Sequence, residues 1–184
     1  MEFSGQRKLR LSSGARVARG CCRSIEVLRR ILWRWQKCYH IHMNIRVVID
    51  TDVFVSACLG TGAASRVVAA CLTGQCQPLM GVALLAEYED VLSREALFGK
   101  SRLNSAERGE LLDIFLDSCQ WSRVYFGWRP NLPDEADNHL IELAVAGGAQ
   151  FVVTRNLRHV ARMELKFPGL QVVNPITLMK ELSR

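Results

Sequence analysis

A short β-branched run that ends in acidic residues constrains this chain more than any other feature. Residues 45–52 read Ile-Arg-Val-Val-Ile-Asp-Thr-Asp. Successive valine and isoleucine residues favour a strand covered on both faces, and such strands belong to the middle of parallel sheets. Ligands of these sheets bind at the carboxyl ends of the strands. The run therefore predicts that Asp50 lies at a binding crevice. Asp52 either shares its face or lies in the turn that caps the next helix.

Apolar periodicity and turn residues predict an α/β fold, with a mostly parallel central sheet of about five strands and helices on both faces. No internal repeat and no second domain is found. After the first strand, we expect strands at 77–80, 121–126, 151–153 and 170–173. We expect helices at 63–72, 82–97, 134–147 and, less exactly bounded, from 105, 156 and 175.

Positive charge is concentrated at the start of the chain. Residues 1–42 hold ten of the 24 Lys and Arg and two of the 18 acids, a balance of +8, which leaves −2 for residues 43–184. We predict a basic N-terminal extension over 1–42, disordered at 1–23 and amphipathic and helical at 24–37, before an α/β domain over 43–184. The helix has the composition of a segment that contacts a membrane or RNA, or that acts as a targeting segment. Alternatively, Met43 is the true start of the protein.

Composition also predicts the compartment. The seven cysteines are odd in number and have no zinc-ribbon spacing, which favours free thiols in a reducing cytoplasm. Residues 1–20 lack the apolar core of a secretory signal. The uncharged stretch 67–86 is interrupted by Thr-Gly-Gln-Cys-Gln-Pro at 73–78, so we expect no membrane-spanning helix. The sequence therefore predicts a cytoplasmic protein without a membrane partner.

Acidic residues from distant parts of the chain are candidates to join Asp50. Hydrolysis of a phosphodiester without a nucleophilic side chain needs a hard cation such as Mg²⁺ or Mn²⁺, held by several carboxylates. On the helix 82–97, Glu87 and Glu89 flank the apolar stripe on opposite edges, and periodicity does not choose between them. Asp90 points away from that stripe.

Two further positions complete the candidate set. Asp134 and Asp137 lie at the start of a helix, where capping explains Asp134 well, whereas the apolar residues that follow on the side of Asp137 draw it inward. Asn156 follows the fourth strand, at the sheet edge that carries Asp50. It is either a site residue or a helix cap.

Four segments of the domain share their order and spacing with a known family. Residues 43–184 resemble the PIN-domain nucleases, and most closely the bacterial PIN proteins that are toxins of toxin–antitoxin pairs. The resemblance implies that Asp50, Glu87 and Asp137 bind the metal, which selects Glu87 over Glu89. Asn156 stands where many members have a fourth aspartate, and its neutral amide binds Mg²⁺ less strongly. The segments are 47–56, 84–92, 133–144 and 152–157.

The leading hypothesis is a Mg²⁺- or Mn²⁺-dependent endoribonuclease in which Asn156 assists the three acids and Asp52 and Asp134 are weaker candidates. The resemblance further implies single-stranded RNA as substrate, a homodimer, and a small antitoxin as partner. One alternative is a PIN-like module that binds RNA or protein without cleavage, as Asn156 and the charge of −2 suggest. Another is an aspartyl-phosphate phosphatase with Asp50 as nucleophile and Asp52 as acid, although Phe54 stands where a threonine is expected.

Overall fold

Five short parallel strands form the centre of the domain. The computed structural model describes residues 45–60, 62–127, 137–157 and 165–183, all within one unit that spans Tyr39–Arg184. The predicted extension at 1–42 and the predicted acid Asp134 lie outside the described residues. The sheet has the order β3-β2-β1-β4-β5, and every neighbouring pair is parallel. The strands are β1 (Arg46–Ile49), β2 (Gln77–Met80), β3 (Gln120–Trp121), β4 (Phe151–Val153) and β5 (Gln171–Val173).

Helices cover both faces of this sheet. In β1, the successive residues Val47, Val48 and Ile49 are all buried, and because their side chains alternate between faces, both faces must be covered. The predicted α/β class with a parallel sheet is therefore confirmed. The helices are α1 (Thr51–Leu59), α2 (Ala63–Leu72), α3 (Val82–Ser93), α4 (Ser105–Ser118), α5 (Asn138–Gly147) and α6 (Pro175–Glu181).

The parallel order decides where functional side chains can meet. All carboxyl ends of the strands lie at one edge, so the residues that follow β1, β2 and β4 are neighbours there although they are far apart in sequence. The register aligns Ile49 with Val153, and the N–H of Asp50 donates to the carbonyl of Val153 at 2.9 Å. The end of β1 is thereby fixed to the end of β4.

Two predicted elements are shorter than expected. The helix predicted over 82–97 ends at Ser93, and a 3₁₀ turn over Glu95–Phe98 brings Phe98 into the core beneath the guanidinium of Arg108, 4.1 Å from the ring centroid. The strand predicted over 121–126 is limited to Gln120–Trp121. Its partner β2 ends at Met80, so the chain beyond Ser122 has no strand to pair with.

Gly147 ends α5 at a point of close approach, and this gives a stability prediction. A Cβ at this position would lie 2.3 Å from Cδ1 of the buried Leu79 and 3.0 Å from Oγ of Ser122. We expect Gly147→Ala to lower the free energy of unfolding by about 1–3 kcal/mol, because the core must shift. The matched control is Gly109→Ala in α4, where a Cβ meets nothing within 4 Å. Urea denaturation should show that the free energy of unfolding of this control variant is unchanged or higher by about 0.5–1 kcal/mol.

Candidate metal centre

Asp50 lies where β1 passes into α1. Its backbone is extended, and its carbonyl accepts the first hydrogen bond of the helix, from the N–H of Val53 at 3.0 Å. Its carboxylate makes no regular capping hydrogen bond. Burial raises the pKa of Asp50, and a hydrogen bond from the Thr154 hydroxyl opposes that rise. A desolvated carboxylate at this edge of the sheet favours a positively charged partner.

Glu87 and Asp137 act on the same carboxylate. The negative charges of both side chains raise the pKa of Asp50 further, after the larger contribution of burial. A like charge raises the pKa of a carboxyl when it lies within electrostatic range, and partial burial strengthens the effect. Glu87 of α3 and Asp137 at the start of α5 therefore lie within electrostatic range of Asp50.

Glu87 is held in place from two sides. Its neighbour Tyr88 is fully buried and donates a hydrogen bond to the carbonyl of Ile49 at 2.9 Å, which fixes α3 to the last residue of β1. Nε2 of His139 lies 3.0 Å from Oε2 of Glu87. The contact with His139 lowers the pKa of Glu87. By contrast, Glu89 is exposed, so the geometry distinguishes the two glutamates that periodicity left equal.

Asp137 and His139 enter the site from α5. Asp137 precedes the helix, is half-buried and makes no capping hydrogen bond with its side chain. The helix is well anchored, because Asn138 and Leu140 are buried and α5 packs on β1, β2 and β4. His139 is the contact partner of Glu87. No sequence signal could have shown this, since the two residues are 52 positions apart.

Asp52 lies in the first turn of α1, at the side of the site. Its carboxylate accepts the backbone N–H of Arg155 at 3.2 Å, and the guanidinium of Arg155 donates to Ser56. Burial raises the pKa of Asp52 to about 6, and the charge of Asp50 adds to this. Asp52 is therefore a second acid near Asp50 that also ties α1 to the loop after β4.

Thr154 is a site residue that the sequence analysis did not single out. It directly follows β4, is buried, and its hydroxyl bonds the carboxylate of Asp50 and accepts the N–H of Asn156 at 3.0 Å. The side chain of Asn156 itself is exposed, so its part in metal binding stays a prediction. A hydroxyl residue after a strand is a weak signal. Only the adjacency of β1 and β4 gives Thr154 its importance.

The contact between Thr154 and Asp50 can be tested by removing one hydroxyl. We expect Thr154→Val to lower the free energy of unfolding by about 1–2 kcal/mol, because the shape is kept while a buried hydrogen bond is lost. We also expect weaker binding of Mn²⁺ by calorimetry, since the orientation of Asp50 is loosened. Thr154→Ser retains the hydroxyl and should behave like the parent. Equal losses in both variants would show that the methyl group, not the hydroxyl, matters.

The donor set fits a hard divalent cation. Asp50, Glu87 and Asp137 offer carboxylate oxygens, the ligand type that Mg²⁺ and Mn²⁺ take, and Asn156 offers an amide oxygen. Within the part of the chain that the structure describes, no three His, Cys, Asp or Glu side chains are grouped closely enough to hold a metal ion. Mg²⁺ is typically bound by one or two carboxylates together with waters and substrate phosphate, so a partial cage is compatible with it.

The architecture and the acidic edge define a class: parallel α/β proteins with carboxylates gathered at the carboxyl ends of the strands. The family model of the PIN domain matches residues 46–158. The chain therefore belongs to the PIN domain family. The matched range contains every acid discussed above as well as Thr154 and Asn156.

Two solved structures are similar to this chain in fold. VapBC2 from Rickettsia felis, bound to a DNA fragment from its promoter, is 18% identical and covers 71% of this chain and 98% of its own, with a TM-score of 0.46. PAE2754 from Pyrobaculum aerophilum is 15% identical and covers 80% of this chain and 97% of its own, with a TM-score of 0.50. A comparison with curated proteins gave no match. At these identities the likeness concerns the fold alone.

The membrane question has a limited answer. Among the described helices, none is by itself long and apolar enough to cross a membrane. Only α1 and α2 taken together reach the required length and composition, and they are bent by 104° with respect to each other.

Proposed function

We propose that this PIN-domain protein is a Mg²⁺- or Mn²⁺-dependent endoribonuclease. The proposal is supported by membership of the PIN domain family and by the electrostatic effect of Glu87 and Asp137 on the partly buried carboxylate of Asp50. A family member with three acids at one edge has the groups that metal-assisted phosphodiester hydrolysis needs. When bound, the cation would polarise the phosphate and lower the pKa of an attacking water.

Each residue of the centre has a distinct part in this proposal. Asp50, Glu87 and Asp137 hold the cation, and Asn156 assists through its amide oxygen. Thr154 orients Asp50, whereas His139 restrains Glu87 through the 3.0 Å contact. Such outer partners typically change metal affinity or activity by about 10- to 100-fold when removed. Asp52 stays a weaker candidate, because its carboxylate already accepts the N–H of Arg155.

Metal removal tests the proposal directly. We expect purified protein to cleave single-stranded RNA only with Mg²⁺ or Mn²⁺. EDTA should abolish cleavage, and excess Mn²⁺ added afterwards should restore it. Binding to the folded state should raise Tm by about 5–10 °C at a hundredfold excess of cation over Kd. Potassium chloride at equal ionic strength controls for screening. Cleavage that persists in EDTA would rule out the metal-dependent mechanism.

We extend the proposal to a toxin that a small antitoxin protein silences, in a homodimer. Support comes from the resemblance of segments 47–56, 84–92, 133–144 and 152–157 to bacterial PIN toxins. The test is inducible expression in a bacterial host. Growth should stop with the parent protein and continue with Asp50→Asn, and co-expression of a small open reading frame directly upstream of the gene should restore growth. Unaffected growth would confine the proposal to the nuclease.

A non-catalytic binding module is the second candidate. The exposed, neutral Asn156 and the incomplete ligand cage favour it. Metal-induced stabilisation without cleavage of a mixed RNA pool would select it over the nuclease. The aspartyl-phosphate phosphatase is disfavoured by membership of the PIN family and by Phe54, which is buried in the core where that chemistry needs a threonine.

A further inference from the structure

A cleft beside the candidate metal centre has a lining that the proposed chemistry does not use. It has a volume of about 880 Å³ and runs between the first turns of α3 and the segment that follows β3. Ala83 and Ala86 of α3 form part of one wall, and His139 forms part of another. Because His139 lines the cleft and contacts Glu87, the cleft adjoins the candidate metal centre.

The cleft presents large apolar side chains to solvent. Trp121 is 52% exposed, Tyr125 77% and Val82 81%, and all three belong to its lining. Neighbouring exposed apolar side chains of this size mark a binding surface, whereas single ones need no explanation. The unpaired chain after β3 holds Tyr125 away from the sheet, where its ring is accessible.

Charge limits how a nucleic acid could be held in this cleft. Residues 43–184 carry a balance of −2, and Arg123 is the only Lys or Arg among the described residues that line the cleft. Phosphate contacts alone would therefore hold a nucleic acid weakly. Stacking of bases on aromatic rings supplies affinity that does not depend on net charge, and each stacked base typically contributes about tenfold or more.

We propose that Trp121 and Tyr125 form a base-stacking platform that holds single-stranded RNA on one side of the phosphate to be cleaved. The inference rests on the proposed nuclease function, because it takes the metal centre as the place of cleavage. Arg123 is placed to meet a phosphate between stacked bases. The platform would bind unpaired bases of any identity, since every base has a stacking face.

Equilibrium binding tests the platform without the need for cleavage. Anisotropy of a short fluorescein-labelled single-stranded RNA is measured in the Asp50→Asn background, beside an abasic oligomer with the same phosphates. We expect Trp121→Ala and Tyr125→Ala each to weaken binding of the RNA about tenfold and to leave the abasic oligomer unchanged. Tyr125→Phe keeps the ring and should stay within about twofold. Ile176→Ala, an exposed apolar residue on α6, is the matched control and should have no effect.

Other outcomes overturn the platform in separable ways. An equal loss of affinity for the RNA and for the abasic oligomer would show that these residues contact the sugar-phosphate backbone rather than the bases. Unchanged RNA binding would reject the platform, and a shift from dimer to monomer by sedimentation would then assign the cleft to a second copy. Cleavage that depends on Asp50 with no effect of the ring variants would reject the platform alone. Ring-dependent binding without cleavage by the protein that retains Asp50 would reject the nuclease alone.

Discussion

Replacement of Asp50 by asparagine is expected to reduce metal-dependent RNA cleavage by at least about 100-fold without weakening the fold. The loss follows from removing a carboxylate that is proposed to hold the cation, because metal-ion catalysis supplies several kcal/mol of transition-state stabilisation. The fold should tolerate the change because burial and the charges of Glu87 and Asp137 raise the pKa of Asp50. Ionisation of Asp50 therefore opposes folding at neutral pH, and a neutral side chain removes that cost.

The two halves of this expectation are measured separately. Cleavage of RNA with Mn²⁺ gives kcat/KM, and urea denaturation without metal gives the free energy of unfolding, which should be unchanged or higher. Asp113→Asn makes the same chemical change at an exposed position of α4 and should alter neither quantity. Full activity in Asp50→Asn would remove Asp50 from the metal centre. Loss of activity together with unfolding would leave its role undecided, and Asp50→Glu, a carboxylate of different length, then supplies the comparison. If its cleavage is also lost while its free energy of unfolding is retained, the requirement is for a carboxylate at this exact position.

Phe54→Ala is expected to lower the free energy of unfolding by about 3–5 kcal/mol. The ring of Phe54 in α1 lies 5.0 Å from that of Tyr88 in α3 and 5.2 Å from that of Phe115 in α4, and all three rings are buried. Removing the central ring leaves a cavity between three helices, and such cavities carry a cost beyond the lost apolar contact. Activity should fall as well, because Asp50 directly precedes α1 and Glu87 lies on α3.

Urea denaturation provides the measurement. An unchanged slope of the free energy of unfolding against urea concentration checks that unfolding remains two-state. Phe54→Leu fills most of the volume and should cost about half as much or less. Phe126→Ala makes the same substitution at a side chain that is 76% exposed, and should stay within about 0.5 kcal/mol of the parent. A similar loss at Phe54 and Phe126 would contradict the view that the three-ring cluster holds these helices together.

The sequence predicted the scaffold of the site better than its contacts. Val47, Val48 and Ile49 predicted a central strand because only a strand covered on both faces accommodates such a run, and β1 is that strand. Periodicity placed Glu87 at the edge of the apolar stripe of α3 but gave Glu89 the same standing. The choice depends on His139, which packs against α3 from a distant part of the chain.

What escaped prediction depends on which strands are neighbours. Thr154 bonds Asp50 only because β4 lies next to β1. The local sequence pattern does not determine the order of the strands in the sheet. The residues 121–126 are β-branched or aromatic in large part, which favours a strand. Their pairing stops because β2 ends at Met80 and α3 begins at Val82, so no partner remains. Local strand propensity contains no information about the length of the partner strand.

The central position of β1 has a consequence for the timing of activity during synthesis. In the sheet, β1 is flanked by β2 on one side and on the other by β4, which follows β2 and β3 in the chain. Until Val153 and Thr154 have left the ribosome, the backbone of Asp50 has no partner across the sheet and its carboxylate lacks a hydroxyl to orient it. On the proposed function, this order of synthesis would keep Asp50 from acting on RNA until β4 and Thr154 have been made.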